Sequence, residues 1–359
     1  MKKNLIYISP DETSFTKKDI DFLSKKYHVL TKYQPWSDKH KIFINFFRQF
    51  IFLLRFMPKS VAIMIMFGGY WSFLPALLGK LFNKPVYIIL GGADCVSFPE
   101  YQYGSLRKPI LRKIIKWSYM LADRLLPVAD SLVRSDYEYD PEVKQTRQGF
   151  LNFFPDLKTP FSVIYNGFDP GYWKPPAAEK SPLHFTTIAK VSDMTRYKVK
   201  GIDLIVSIAP HFPGHFFHIV GLDGKFAHSL GELPANIIVH DFMSGDQLRD
   251  LLGKSRFYMQ VSMSEGFPNA LCEAMLCECI PVGTYVGAIP FIIDDSGIVI
   301  GKKDIELAIE RISGLIQLPG SEMDNLGKKA RKNIVARFPL DNREHSIFKL
   351  IAERVPDQV

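Results

Sequence analysis

Two glutamates, Glu265 and Glu273, lie eight positions apart around the predicted start of a helix that covers about Pro268–Cys277. A helix N-terminus offers unpaired N–H donors and the positive end of the macrodipole, so a diphosphate can bind there without a metal. Glu273, one turn inside the helix, can accept two hydrogen bonds from a vicinal diol such as a ribose. Glu265, on the preceding loop, would face the group that the diphosphate carries. The spacing therefore predicts a site for a sugar nucleotide.

The residues around this pair carry a family resemblance. Residues 264–290 closely resemble the E-x7-E signature of the family-4 retaining glycosyltransferases of GT-B fold. Three other stretches resemble the same family in order and spacing: residues 122–131, the interdomain junction at 161–169 and the glycine turn at 220–224. The resemblance implies an α/β GT-B fold of two doubly wound, Rossmann-like domains that face a central cleft. It also implies that Glu273 binds the nucleotide ribose and that Glu265 contacts the donor sugar.

The rest of the donor side is expected along the same loop and helix start. The resemblance implies donor contacts at Gly221 and at Gly266, Phe267, Pro268, Asn269, Ala270 and Leu271, and either Asn269 or Ser264 is expected to cap the helix. A pyrophosphate also needs cations, which Lys190 at a strand end and Lys200 at a helix start are placed to supply. The family usually has arginine at the first of these positions, so Arg196 or Lys198 is an alternative ligand.

Two glycine turns are expected on the acceptor side of the cleft. Gly91 and Gly92 precede Asp94 where the family often has His-Gly-x-Asp, so contacts made by that histidine are lost or come from elsewhere. Asp94 is a candidate catalytic residue that orients a substrate hydroxyl, or alternatively caps a helix. Gly68, Gly69 and Tyr70 form the second turn, which either lines the acceptor side or is only a tight turn.

Composition limits the classes of function. The 359 residues exceed a typical single core, and 47% hydrophobic residues is ample for burial. A net charge of +8 favours an anionic partner, but the dispersed cations and the lack of a nucleic-acid-binding signature make nucleic acid an unexpected one. The four cysteines have neither zinc-finger spacing nor an accompanying histidine cluster, so no metal is expected. We expect them to be inert thiols of a protein in a reducing cytoplasm.

Two alternating series of strands and helices predict two domains. Strands are expected at 4–9, 28–33, 61–66, 86–90, 124–129 and 162–165, and then at 185–189, 216–221, 237–240, 257–261, 280–283 and 297–300. The proline-rich stretch Lys174–Ala178 looks like a linker. We therefore expect an acceptor-side domain at 1–172 and a donor domain at 173–339, while the resemblance implies that a final helix at 340–359 packs back on the first domain.

Two segments of the first domain combine cations with apolar side chains. Residues 41–59 are strongly apolar but contain Arg48 and Arg55, and residues 106–126 interleave Arg107, Lys108, Arg112, Lys113 and Lys116 with apolar residues. Both could be basic helices on an anionic lipid surface, or could pack their apolar sides on the sheet. No apolar run is long enough to predict a spanning helix. We expect a cytoplasmic protein, with the inner face of the plasma membrane as one location.

These patterns predict a hexosyltransferase-like enzyme that moves a sugar from a nucleotide diphosphate, UDP or GDP, to an acceptor hydroxyl without a metal or bound cofactor, and the resemblance implies that the configuration at the anomeric carbon is retained. The expected acceptor is a saccharide or lipid-linked saccharide, as in bacterial cell-surface polysaccharide or glycolipid assembly. Two alternatives stay open. One is a nucleotide-sugar epimerase or hydrolase on the same fold, and the other is a scaffold without turnover that binds membranes or nucleic acid.

Overall fold

The computed structural model describes residues 2–34, 36, 38–175 and 180–354. Two parallel sheets, each flanked by helices, account for most of them, which confirms the predicted doubly wound α/β class. Pro176–Ala178 of the predicted linker and positions 355–359 of the predicted last helix lie outside the described residues.

The first sheet has five parallel strands in the order β2-β1-β3-β4-β5. Its strands are β1 (Asn4–Ile8), β2 (His28–Lys32), β3 (Ser60–Met66), β4 (Val86–Leu90) and β5 (Arg124–Pro127). They alternate with α1 (Ser14–Lys26), α2 (Ile42–Phe56), α3 (Tyr70–Leu81) and α4 (Pro109–Leu121). Since such crossovers are right-handed, the reversal of strand order after β2 places α1 on one face of the sheet and α2, α3 and α4 on the other.

The sixth strand predicted at 162–165 is wrong as a regular element. The chain does run beside β5, where the Ser162 and Ile164 amides donate to the Leu125 and Pro127 carbonyls, each at 3.0 Å. Pro127 has no N–H group to return a bond, so the ladder does not continue. Before this segment come a small hairpin of β6 (Ser135–Asp136) and β7 (Arg147–Gln148) and the short helix α5 (Phe150–Phe153).

The second sheet has six parallel strands in the order β10-β9-β8-β11-β12-β13. These are β8 (Ser181–Val191), β9 (Phe216–Leu222), β10 (Ile237–His240), β11 (Ser255–Gln260), β12 (Ile280–Thr284) and β13 (Ile298–Ile300). The helices are α6 (Met194–Val199), α7 (Ile202–Ile208), α8 (Gly224–Ser229), α9 (Gly245–Lys254), α10 (Asn269–Leu276), α11 (Ile289–Ile293), α12 (Ile305–Ile316) and α13 (Gly320–Arg337). One apolar cluster surrounds the first sheet and continues into the second domain through residues such as Leu271 and Ile289, and another lies around the second sheet. The carboxyl ends of both sets of strands border the gap between the domains.

The last described helix, α14 (Leu340–Arg354), returns to the first domain and packs beside α1. Arg343 forms a bidentate ion pair with Asp19 at 2.8 and 2.9 Å, and both side chains are buried. Phe348 packs edge-on against Phe22 with 5.9 Å between ring centroids. The chain therefore crosses between the domains twice. These two connections fix how the carboxyl ends of the strands in one sheet face those in the other.

Candidate active site

Helix α10 begins one residue later than the sequence predicted, and no side chain caps it. Pro268 is extended and occupies the cap position, where it provides no acceptor. The predicted cap Asn269 is the first residue of the helix, and its side-chain oxygen accepts a 2.7 Å hydrogen bond from the Asn166 amide. The prediction of a side-chain cap is therefore wrong. Because no side chain caps the helix, the first N–H groups of α10 can donate to another acceptor, such as an anion.

The carboxylate of Glu265 is the centre of a polar cluster just before this helix. Its Oε1 atom accepts hydrogen bonds from Lys200 Nζ at 2.6 Å, Ser262 Oγ at 2.8 Å and Gln260 Nε2 at 3.1 Å. Burial opposes the charge of Lys200, but the attraction of Glu265 outweighs it and the pKa of Lys200 is raised. Lys200 therefore stays protonated and can exchange Glu265 for a negatively charged ligand.

A glycine holds Lys200 in this position. Gly201 has a φ of +69°, and a Cβ atom there would lie 1.9 Å from the carbonyl oxygen of Val261. Only glycine fits both the left-handed backbone and this close approach. The junction between α6 and α7 consequently lies directly against the end of β11, which brings Lys200 to Glu265.

The first domain meets this cluster through backbone alone. A Cβ atom on Gly266 would lie 2.2 Å from the Gly91 carbonyl oxygen, and one on Gly92 would lie 3.4 Å from the Gly266 nitrogen. The cavity that remains between the domains here is only about 20 Å³, with Ser131, Tyr137 and Glu265 in its wall. Two glycine loops therefore meet directly where the family often has a histidine, and the domains are closed on each other at this point.

Asp94 organises the glycine turns of the first domain. Its buried carboxylate accepts hydrogen bonds from the amides of Gly68 at 2.9 Å and of Gly92 at 3.0 Å, and from the hydroxyl of Tyr119 at 3.0 Å. Burial raises the pKa of this carboxyl despite those bonds. The catalytic role predicted for Asp94 needs contact with substrate, which this burial does not offer, and the geometry makes it a positioning residue.

The predicted acceptor turn is built tightly. Gly69 precedes α3, and its amide donates to the Ser72 hydroxyl at 3.0 Å. A Cβ atom on Gly68 would lie 2.6 Å from the hydroxyl oxygen of Tyr119, so a larger residue does not fit. Tyr70 is partly exposed at the start of α3. Through Asp94, this turn is tied to the Gly91 and Gly92 turn that contacts the second domain.

Glu273 faces the first domain. Lys18 of α1 donates to its Oε1 atom at 3.1 Å and also lies over the Phe168 ring, 5.1 Å from the centroid. Burial raises the pKa of the Glu273 carboxyl, and the nearby Lys18 partly opposes that rise. The carboxylate predicted to hold a ribose is therefore already paired with a cation from the other domain.

Lys190 and Gly221 come together in a separate, open pocket of about 600 Å³ at the ends of β8 and β9. Gly221 has a φ of +89° and turns the chain toward Asp223. Asp241 and Phe242, which follow β10, complete the wall, and Phe242 is 85% exposed. A pocket with a cation and an exposed aromatic ring suits a phosphorylated aromatic compound such as a nucleotide.

Other predicted donor residues serve the framework. Phe267 is buried and stacks on Phe168 at 6.3 Å, and Leu271 is fully buried in the core, so their side chains are not free for a donor. Ala270 is partly buried. Arg196 is exposed and pairs with Asp193 at 3.6 Å instead of bonding to Glu265. The prediction that Phe267 and Leu271 bind the donor is therefore corrected: only their backbone atoms could contact it.

Sequence reasoning missed several members of the site. Lys18, Gln260 and Ser262 carry no local motif, although Gln260 and Ser262 stand at the end of a strand, where ligand contacts concentrate. Among the residues that the structure describes, no group of His, Cys, Asp or Glu is arranged to hold a metal ion. In the same residues, no helix has both the length and the apolar character needed to cross a bilayer.

Comparison with known proteins identifies the second domain. Residues 186–317, which hold Lys190, Lys200 and both glutamates, match the family model described as glycosyl transferases group 1. Over this stretch the chain is similar to that family. The chain is also 30% identical over 125 residues to the gpi3 subunit of phosphatidylinositol N-acetylglucosaminyltransferase of Schizosaccharomyces pombe, a match that covers 32% of the chain and 27% of the relative.

Two further relatives are subunits that carry the same enzyme name. The chain is 29% identical to the phosphatidylinositol N-acetylglucosaminyltransferase subunit of Arabidopsis thaliana, over 46% of the chain and 40% of the relative. It is 28% identical to the Homo sapiens protein of the same name, over 43% of the chain and 33% of the relative. The matches thus span less than half of these relatives' own length.

Solved structures show the fold of the whole chain. Sucrose-phosphate synthase of Thermosynechococcus elongatus superposes with a TM-score of 0.75 at 13% identity, covering 99% of this chain and 100% of that one. The Anabaena protein HepE in complex with UDP-glucose superposes with a TM-score of 0.74 at 14% identity, covering 98% and 100%. At such identities the likeness concerns the fold alone, and it confirms the predicted GT-B architecture.

Proposed function

We propose that this protein transfers a sugar from a nucleoside diphosphate to an acceptor hydroxyl in the cleft between Glu265 and the Gly91 and Gly92 turn. The observation that carries this proposal is the Glu265 cluster, where one oxygen of a partly buried carboxylate accepts three hydrogen bonds beside the uncapped start of α10. A carboxylate, a cation and free helix N–H groups at one point suit the separation of a cationic sugar from an anionic diphosphate.

In the proposed reaction, the bond between the sugar's anomeric carbon and the diphosphate oxygen breaks, and a bond to the acceptor oxygen forms as the proton of that hydroxyl passes to the departing diphosphate oxygen. Lys200 exchanges Glu265 for the diphosphate, and the first N–H groups of α10 share its negative charge. Lys190 and its pocket hold the nucleotide, with Glu273 on the ribose. The resemblance to family 4 supports retention of configuration at the anomeric carbon.

Donor entry in this proposal requires the domains to separate. The roughly 20 Å³ cavity beside Glu265 cannot hold a hexose, and Gly91 contacts Gly266 through backbone atoms. Opening of the hinge would widen the gap, and closure on the donor would then exclude water.

The relatives' names guide the choice of substrates. They describe transfer of N-acetylglucosamine to phosphatidylinositol. We therefore propose an N-acetylhexosamine donor and an acceptor hydroxyl carried by a lipid, at the cytoplasmic face of a membrane. This favours glycolipid assembly over the polysaccharide assembly also expected from the sequence.

A mass-spectrometric screen of UDP- and GDP-sugars, with purified protein and no acceptor, tests the reaction class. We expect slow release of free sugar and nucleoside diphosphate from one donor, with the rate strongly reduced in Glu265→Gln and unchanged in the exposed control Glu310→Gln. An isomerised intact donor would instead identify an epimerase. If no sugar nucleotide were consumed, with or without a phosphatidylinositol acceptor, the result would contradict the proposal and favour a scaffold without turnover.

A further inference from the structure

Helix α2 has its amphipathic sides reversed. Its buried residues are Asn45, Gln49 and Leu53, whereas the exposed ones include Phe43 at 87%, Phe47 at 64% and Ile51 at 50%. A helix that packs on a sheet normally turns its apolar side inward. Of the two alternatives that the sequence leaves open for α2, the one in which its apolar side packs on the sheet does not account for this stripe of exposed apolar residues, which faces outward.

Polar anchors fix this orientation. The Gln49 side chain donates to the Trp71 carbonyl at 3.1 Å, and Gln34 donates to the Asn45 carbonyl at 3.0 Å. Buried amide groups that make such bonds are costly to expose unpaired, so α2 cannot rotate its phenylalanines inward without losing them.

Apolar exposure continues onto the neighbouring helices. Because α2 packs on α3 and α3 on α4, the three helices form one layer. Leu81 is 70% exposed where α3 ends, and Ile110 at 71% and Trp117 at 51% lie on the outer side of α4. We call these exposed residues of α2, α3 and α4 the apolar face. It exceeds the scattered exposed apolar side chains that are normal on a soluble domain.

The charges around this face have one sign. Residues 39–93 contain seven Lys or Arg and no Asp or Glu, and residues 101–122 contain five and none. Arg48 and Arg55 on α2 and Lys113 on α4 are exposed beside the apolar side chains. Because all the formal charge in these segments is positive, a partner that buries the face must supply negative charge at its edge.

We propose that the apolar face is a membrane-binding surface, on which α2 lies in the plane of an anionic phospholipid bilayer with its phenylalanines among the acyl chains. Basic interfacial helices bind in this way, and lipid phosphates supply the missing negative charge. A lipid surface is the partner that fits best, because Arg48, Arg55 and Lys113 lie among exposed apolar side chains, and a bilayer interface binds this combination.

This surface also bears on the acceptor, a step that rests on the proposed function. Gln49 of α2 bonds the backbone of Trp71, which follows the predicted acceptor turn of Gly68, Gly69 and Tyr70. A bilayer in contact with α2 therefore lies beside that turn, and a hydroxyl on a lipid headgroup could reach it without leaving the membrane.

Co-sedimentation of the full chain with vesicles tests the surface. Vesicles of phosphatidylcholine alone and of phosphatidylcholine with phosphatidylserine would be compared at low and high salt. We expect binding to the anionic vesicles, weakened by salt, and a loss of about tenfold or more in Phe43→Ser/Phe47→Ser. The control Leu183→Ser/Val335→Ser removes exposed apolar residues of the second domain and should bind as the wild type does.

A charge variant gives an independent arm. Arg48→Gln/Arg55→Gln/Lys113→Gln should lose the preference for anionic vesicles while it keeps the circular dichroism and melting temperature of the wild type. Arg112 is left unchanged because it bonds the Leu106 carbonyl and lies over the Phe153 ring. Wild-type protein that ignores anionic vesicles at low salt, or that forms a stable dimer through Phe43 and Phe47 which vesicles do not dissociate, would overturn the proposal. Hydrolysis of the soluble donor in detergent-free buffer does not require membrane binding. A protein that hydrolyses the donor but does not bind vesicles would therefore contradict this proposal and not the proposed function.

Discussion

Lys18 on α1 of the first domain donates a 3.1 Å hydrogen bond to Glu273 on α10 of the second. Burial raises the pKa of Glu273, and Lys18 is the cation that opposes this rise. A residue of the other domain therefore favours the ionised form of the proposed ribose ligand, so domain closure and nucleotide binding act on the same carboxylate.

We predict that Lys18→Met makes nucleotide binding more sensitive to acid. Without the lysine the pKa of Glu273 rises further, so the carboxylate becomes protonated at a higher pH and loses its capacity to accept two ribose hydroxyls. Calorimetric titration of UDP and GDP between about pH 8 and pH 5 should show the affinity of the variant falling at higher pH than that of the wild type. Lys17→Met, which removes an exposed pair with Glu12, is the matched control. Identical pH profiles for Lys18→Met and the wild type would contradict the coupling.

Glu273→Ala should weaken nucleotide binding itself by roughly 1.5 to 3 kcal/mol, because hydrogen bonds to a charged group are lost. The same titration measures this change. Unchanged affinity in a folded Glu273→Ala protein would remove Glu273 from the nucleotide site.

Glu265→Gln should separate binding from turnover. The proposed partner of Glu265 is the sugar, so the variant should lose far more in kcat than in affinity for the nucleotide alone. The amide can still accept from Lys200, which limits damage to the cluster. Donor-hydrolysis kinetics and nucleotide titration would be measured on the same preparation. Equal losses in both would assign Glu265 to the nucleotide.

The sequence predicts the strands well and the cross-domain contacts poorly. Buried parallel strands are short apolar runs, so the predicted bounds 86–90 and 237–240 coincide with β4 and β10. The bond between Lys18 and Glu273 joins positions 255 residues apart, and no local pattern announces it. The reversal of α2 likewise depends on Gln34, which donates to it from outside the helix.

Asp94→Asn should lower stability in a way that depends on pH. The side-chain amide of the variant would turn its NH₂ group toward at least one of the groups that now donate a hydrogen bond to Asp94. The loss of that bond should lower the free energy of unfolding by about 1 to 3 kcal/mol. Since burial raises the folded-state pKa of Asp94, folding favours its protonated form, and the wild type gains stability as the pH falls from that raised pKa toward the unfolded value of about 3.9. The variant has no such gain. Urea unfolding at pH 7, 5 and 4 should therefore show the gap between the two proteins widening on acidification, and a gap that narrows would contradict this account.

The ion pair between Asp19 and Arg343 gives the last prediction. Arg343 is buried and also donates to the Ile164 carbonyl, so Arg343→Met leaves the Asp19 carboxylate without its cation in the core. Such a loss typically costs about 3 to 5 kcal/mol, and replacing both partners costs less because no unpaired charge remains. Lys25→Met is a matched control at the same contact between α1 and α14, because its pair with Glu344 is exposed and is expected to contribute about 1 kcal/mol or less. Urea unfolding monitored by tryptophan fluorescence would compare Arg343→Met, Asp19→Leu/Arg343→Met and Lys25→Met. If Arg343→Met were no more destabilising than Lys25→Met, the buried pair would not be what holds the last helix on the first domain.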